Sequence, residues 1–380
     1  MAAKDGPQLA ELVHRSLPFT IHGVKWVPGT ARFVVLGSRP RGTGVLQVYD
    51  LDGLELQQVA QAEQPHSLQC GSFGASAAAD AHLAVGTQAG QLRLLDVARL
   101  DAGPLFSVQA HAGNVNALDA FGGQSTGCGP PVIATAGKDG GVRVWDPRQP
   151  DVPAAAFLPA AGPPPASSSA AGGAGAGGGG GASDCWCVAV GNSYNQMERC
   201  LLAGYQNGDI KMFDLRAARV RWESNVGKGV CGVQFDRRDI AMNKFVVTCL
   251  ESQLCLFEAR TQHPRHGFAA HTQRLAASEG REATLWGVHH LPQNRDVFMV
   301  CGGDGSLALH KYQYPDQRAV KDEDGEARGV AGSAEVVCER TISCQPVAAF
   351  DWSGDKAGAF VAAAFDQTVR VGMASRVATL

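Results

Sequence analysis

The chain has 380 residues, of which 45% are apolar and 18% charged, a globular profile and neither a disordered nor a coiled-coil one. Its 33 basic and 36 acidic residues nearly cancel and no Lys/Arg-rich run occurs, which argues against nucleic acid as a partner. There is no signal-peptide core and no run of about 18 apolar residues, so no membrane contact is predicted and the cytoplasm is the expected compartment.

In chain order, the first segment is "PQLAELVHRS", Pro7 to Ser16, a strand-like stretch with no repeat of its own. After it a six-residue pattern recurs seven times: "VLQVYD" at Val45, "QLRLLD" at Gln91, "GVRVWD" at Gly141, "DIKMFD" at Asp209, "QLCLFE" at Gln253, "SLALHK" at Ser306 and "TVRVGM" at Thr368. The second column reads Leu46, Leu92, Val142, Ile210, Leu254, Leu307 and Val369; the fourth reads Val48, Leu94, Val144, Met212, Leu256, Leu309 and Val371. Fourteen aliphatic or Met residues at period two describe a strand with one face fully buried. The fifth column, Tyr49, Leu95, Trp145, Phe213, Phe257, His310 and Gly372, recurs at intervals of 46, 50, 68, 44, 53 and 62 residues. Four of these intervals sit at or slightly above the length of one four-stranded propeller blade.

Two intervals are longer because they carry inserts. Ala160 to Ser183 is a Gly/Ser/Ala-rich tract with almost nothing to bury, predicted to be a disordered insertion. Tyr314 to Ser333 is a polar, partly acidic stretch predicted to be a loop insertion. Other strands flank each anchor: "IHGVKWVPG", "CWCVAVGN", "VCGVQFDRRD" and "LWGVHHLPQN" begin repeats, and "ARFVVLGS", "PVIATAGK" and "KFVVTCLE" follow them. The last copy ends too soon for an outer strand. The sequence therefore predicts an all-β, seven-bladed propeller, a single domain over 1–380, closed by the N-terminal strand, which hides an exposed sheet edge.

Trp145-Asp146, the Asp139-Gly140 turn and upstream His111 resemble the WD-repeat signature. Non-repeat strings, among them "KWVPGTARFVVLG", "RGTGVLQVYD", "GNSYNQMERC", "NGDIKMFDLR", "HLPQNR" and "AFDQTVRV", resemble more narrowly the family of WD repeat-containing protein 92, also called Monad. The tract at 160–183 and the "LAASEGREA" insert, Leu275 to Ala283, depart from that pattern. The resemblance implies a co-chaperone scaffold in cytoplasmic preassembly of axonemal dynein arms. Its implied partners are the prefoldin-like complex with RuvB-like ATPases, the Hsp-ninety machinery and dynein heavy chains.

The candidate chemistry reduces to a choice at one place. His111, Thr135 and Asp139 could be parts of a nucleophilic site, but Thr135 falls inside a strand and no nucleophile elbow or oxyanion hole accompanies it. In WD repeats of this type His111, Thr135, Asp139 and Trp145 form an intrablade hydrogen-bonded tetrad, and the resemblance implies that role here. No enzyme is predicted. The eleven cysteines are scattered through apolar runs and "CWC", Cys185 to Cys187, has no partner pair at zinc spacing, so no metal and no cofactor are expected. Lys228 lacks the flanking residues of a phosphate loop, and Asp322 to Asp324 reads as a solvated turn.

Propellers bind partners through inter-strand loops held on a rigid frame. Lys138, Tyr205, Gln206 and Phe365 lie in turns between second and third strands, and Trp186 and Trp286 at the start of first strands; these six are the nominated protein-binding surface of a chain expected to be monomeric by itself. The boxes "WDPR", "FDLR" and "FEAR" place Arg148, Arg216 and Arg260 three residues after the aromatic. The first resembles the "WDxR" box of propellers that act as substrate receptors of cullin-four ubiquitin ligases, an alternative function. The plainer reading is an arginine paired with an acidic neighbour.

Overall fold

The third strand of each repeat explains the architecture. Columns two and four of the repeat point to one face of the sheet and column five to the other. All fourteen residues of the first two columns are buried, and so are the seven of the fifth. A sheet covered on both faces must be stacked between neighbours.

The computed structural model describes residues 6–123, 129–159, 183–192, 194, 198–275, 282–377 and 380. It is an all-β propeller of seven four-stranded antiparallel sheets. Innermost strands are Thr20–Trp26, Leu68–Phe73, Val115–Phe121, Cys185–Asn192, Val230–Phe235, Leu285–Leu291 and Val347–Trp352, heading blades I to VII. Each touches the next, and the seventh touches the first, so the ring closes. The Gly-rich tract 160–182 and positions 276–281 of the second insert lie outside the described residues.

Gln8–Ser16 pairs antiparallel with Thr368–Ser375 and becomes the outer strand of blade VII, as the sequence predicts. The strand is pinned to both neighbouring blades. Arg340 of blade VI donates to the Leu9 carbonyl at 2.8 Å. Arg15 donates to the Leu56 carbonyl of blade I at 2.9 Å and lies 5.4 Å over the Tyr49 ring. Leu9 itself is buried with Trp352 and Phe360.

Two members of the fifth column break its aromatic-or-leucine pattern, and each is compensated by a phenylalanine. At Gly372 a Cβ would stand 2.2 Å from the ring of Phe360, which fills the space on the adjacent strand. His310 is fully buried and stacks on Phe298 at 5.3 Å; burial pushes its pKa down to about 4, so the ring packs as a neutral aromatic.

Neighbouring inner strands are also hooked together. The Ala120, Val190, His290 and Trp26 amides donate to side chains of the preceding blade: Ser72 at 3.2 Å, Asp119 at 2.9 Å, Gln234 at 2.5 Å and Asp351 at 2.9 Å. The four acceptors occupy the same position in their strands, which satisfies backbone donors that the blade's own ladder leaves open.

The insertion at 314–333 carries more structure than a loop. Ala319–Lys321 pairs with Ala327–Gly329 as a two-stranded ribbon. Its polar residues have a purpose in the fold: Arg318 forks onto buried Glu258 of blade V at 2.9 and 2.5 Å, and Asp322 bonds His263 at 2.8 Å. Beneath it, fully buried Lys244 donates to Asp236 at 3.1 Å, Asp296 at 2.6 Å and the Tyr314 hydroxyl at 2.8 Å. Burial opposes the charge on Lys244, but the charge of Asp236 and the bonds to Asp296 and Tyr314 outweigh it and raise its pKa. Blades V and VI are thereby locked through one ionic cluster.

Candidate functional site

Each inner strand contains a β-bulge at the same place. The register slips between Ile21 and Gly23, Leu68 and Cys70, Val115 and Ala117, Cys185 and Cys187, Val230 and Gly232, Leu285 and Gly287, and Val347 and Ala349. The residue before each bulge is buried, and the extra residue is not. Bulges re-aim a side chain, and here they do so seven times in a ring. His22, Gln69, Asn116, Trp186, Cys231, Trp286 and Ala348 all line the central channel, whose open volume is about 300 Å³. The position after each bulge holds only Gly, Ala or Cys, because the strands converge there: a Cβ on Gly232 would lie 2.7 Å from the Thr248 hydroxyl.

Two of the nominated residues, Trp186 and Trp286, are members of this ring. Trp286 is 40% exposed and meets Phe365, 39% exposed, edge-on at 5.9 Å across the seam between blades VI and VII. Lys138 and Gln206 are exposed in the turns of blades III and IV. The antiparallel order puts these turns on the face where the inner strands begin, so the five share one end of the propeller. Tyr205 does not join them. It is buried at the end of its strand, packed with Cys185 and Val142, and burial pushes its hydroxyl pKa far up, so it is a core residue and not a surface anchor.

Deeper in the channel the charges cancel. Lys25 bonds Asp351 at 2.7 Å. Arg238, from the loop after the inner strand of blade V, reaches blade III to donate to Asp119 at 2.7 Å, with its guanidinium 5.4 Å over Phe121. His289 also lines the wall, and burial first, then the Lys25 charge, lowers its pKa to about 3, leaving it neutral.

The tetrad positions are joined in a chain. Trp145 Nε1 donates to Thr135 Oγ1 at 3.0 Å, Thr135 and His111 Nε2 are 2.9 Å apart, and His111 Nδ1 and Asp139 Oδ1 are 2.8 Å apart. Burial lowers the His111 pKa, so the consistent proton order is Trp145 to Thr135 to His111 to Asp139. Asp139 also accepts the Ala112 and Gly141 amides and one arm of Arg143. Burial alone would raise the Asp139 pKa; the His111 bond and these amides lower it overall. Thr135 is fully buried, which leaves its hydroxyl no access to a substrate.

Arg148 and Arg216 are committed within the chain. Arg148 forks onto Asp146 at 2.9 and 2.5 Å, and Arg216 bonds Glu198 at 3.2 Å. The exposed Arg260 has its amide on Glu258. Arg148 and Arg216 follow third strands and Arg260 sits late in one, Gln253–His263, all at the opposite end of the propeller from Trp186 and Trp286. Among the described residues no group of three or more His, Cys, Asp or Glu is placed to hold a metal ion, and no helix is long and apolar enough to cross a membrane.

Sequence comparison adds an independent line. The family model "WD domain, G-beta repeat" matches residues 102–146, the segment that holds the tetrad. Over nearly its whole length the chain is similar to proteins named dynein axonemal assembly factor 10. The Chlamydomonas reinhardtii protein is 54% identical over 377 residues, 99% of each chain. The Xenopus laevis protein is 46% identical over 365 residues, 96% of each, and the Homo sapiens protein 43% over 371 residues, 98% of each.

Proposed function

The chain belongs to the dynein axonemal assembly factor 10 family, and from that premise we propose that it is a non-enzymatic scaffold acting in the assembly of axonemal dynein. The single observation that carries this is identity of 43 to 54% maintained over 98 to 99% of both chains, so the whole propeller is shared and not one repeat. The Monad resemblance is taken to denote this same family. On this reading the protein works in the cytoplasm as a co-chaperone, linked to the prefoldin-like complex with RuvB-like ATPases and to the Hsp-ninety machinery, with dynein heavy chains as clients.

The fold supports a role without chemistry. A rigid ring with its polar groups consumed internally is a platform on which loops are held at fixed positions. Partners are assigned to the end bearing exposed Trp286 and Phe365 and half-buried Trp186, because large aromatics clustered at one end of a rigid frame are the anchors interfaces use. Affinity purification of the tagged chain from ciliated cells, followed by mass spectrometry, tests the proposal. RuvB-like ATPases and dynein heavy chains should co-purify; a preparation containing neither contradicts it.

A further inference from the structure

We propose that the channel mouth is a receptor for an uncharged polypeptide segment that inserts one large apolar side chain between Trp186 and Trp286 and offers backbone carbonyls to their indoles. This rests on the scaffold reading only for its biological use; the recognition chemistry stands on the ring itself.

Three observations fix the class of occupant. First, the ring is two-sided. Blades IV to VII contribute Trp186, Cys231, Trp286 and Ala348, with Phe365 beside Trp286, whereas blades I to III contribute His22, Gln69 and Asn116. An apolar half faces a hydrogen-bonding half across one opening. Second, the wall carries no unpaired charge: burial lowers the His22 pKa, and the charged groups that line the channel below the mouth are matched, Lys25 with Asp351 and Asp119 with Arg238. A charged side chain brought into this mouth would shed water and find no opposite charge, a cost that an apolar side chain does not meet. Third, neither indole N–H has a hydrogen-bond partner among the described residues. Indole donors at a half-exposed mouth call for acceptors, and peptide carbonyls are the acceptors an apolar segment carries.

The space agrees. About 300 Å³ is at the lower end of ligand-sized pockets, enough for a side chain and its flanking backbone but not for a folded element. Cys231 of blade V is the small residue that separates Trp186 of blade IV from Trp286 of blade VI, and Ala348 of blade VII leaves the wall open on the other side of Trp286.

The test uses the full chain and fluorescein-labelled seven-residue peptides of Gly, Ser and Gln with a central Leu, Met or Phe, read by fluorescence polarisation. Matched peptides with a central Glu or Lys serve as comparison. Apolar-centred peptides should bind, with affinity nearly independent of salt, and should weaken by about tenfold or more in Trp286→Ala and in Trp186→Ala. Phe365→Ala, at an exposed turn, provides a milder second variant should either Trp substitution impair folding. Tighter binding of charged-centred peptides, binding indifferent to all three substitutions, or no peptide binding would overturn the proposal. So would self-association of the chain that Trp286→Ala abolishes, since the mouth would then receive a second copy. No dynein component is present in this assay, so its failure leaves the assembly role standing, and loss of the assembly role leaves this result standing.

Discussion

Replacing Lys244 by methionine keeps the length of the side chain and removes its charge. The ammonium is fully buried between Asp236, itself buried, and Asp296, and it also lies 4.9 Å over Tyr312 and 5.0 Å over Tyr314. Removing one partner from such a cluster leaves carboxylates without a counter-charge in a dry site, which costs about 3 to 5 kcal/mol. An unfolding entropy of about 2.1 cal/mol/K per residue over 380 residues gives about 0.8 kcal/mol/K, so the unfolding midpoint should fall by about 4 to 6 °C. Differential scanning calorimetry measures it. A second substitution, Asp236→Asn added to Lys244→Met, should restore part of the loss because it removes the stranded charge. A single variant within about 1 °C of wild type, or a double variant as unstable as the sum of both singles, would refute the reasoning.

Further outcomes follow from other parts of the frame. Asp139→Ala strips acceptors from His111, two amides and Arg143 and should cost about 1 to 3 kcal/mol; a chemical-denaturation midpoint equal to wild type would count against the tetrad as a stabilising device. His310→Phe keeps the stack on Phe298 and deletes a buried nitrogen, Nε2, that has no partner, at the loss of the Nδ1–H bond to the Ala308 carbonyl at 3.0 Å, and should raise the melting temperature; a fall would show that the bond to Ala308 outweighs the stranded nitrogen. His289, His290 and His310 have folded pKa values held below 6.5 by burial, so the unfolded chain binds more protons than the folded one below about pH 6.5. Stability should therefore decline by about 1.4 kcal/mol per pH unit per histidine as pH falls from there, until each folded pKa is reached; a flat profile between pH 7 and 5 would contradict this. Deleting residues 1–16 should expose the edge of Thr368–Ser375 and cause concentration-dependent association, visible by light scattering; a soluble, monomeric truncation of unchanged stability would not fit a clasp.

The ring was legible because its information is periodic. Columns of aliphatic residues at fixed places in seven copies report burial directly, and the missing outer strand of the last copy pointed to Gln8–Ser16. Trp186 and Trp286 were also visible, as aromatics at strand starts. The ring that unites them was present as a motif of an apolar residue, any residue, then Gly, Ala or Cys: "IHG", "LQC", "VNA", "CWC", "VCG", "LWG" and "VAA". A strand-period reading does not reveal it, because a bulge breaks the period-two rule and the side chain it turns outward looks like a misplaced core residue. Tyr205 shows the converse error: a tyrosine next to a turn reads as exposed, but its direction depends on pairing with Cys185, which no local pattern encodes. The Lys244 cluster is illegible for a similar reason, since Lys244 of blade V meets Asp296 and Tyr314 only through the stacking of two blades.

The central claim is that this propeller serves dynein assembly through the end that bears the two tryptophans. Ciliated cells lacking their own family member, complemented with the chain, test it most directly, with axonemal dynein arms counted by cryo-electron tomography. Wild type should restore the arms, while a Trp186→Ala, Trp286→Ala double variant that folds and accumulates normally should not. Full restoration by that double variant would contradict the account.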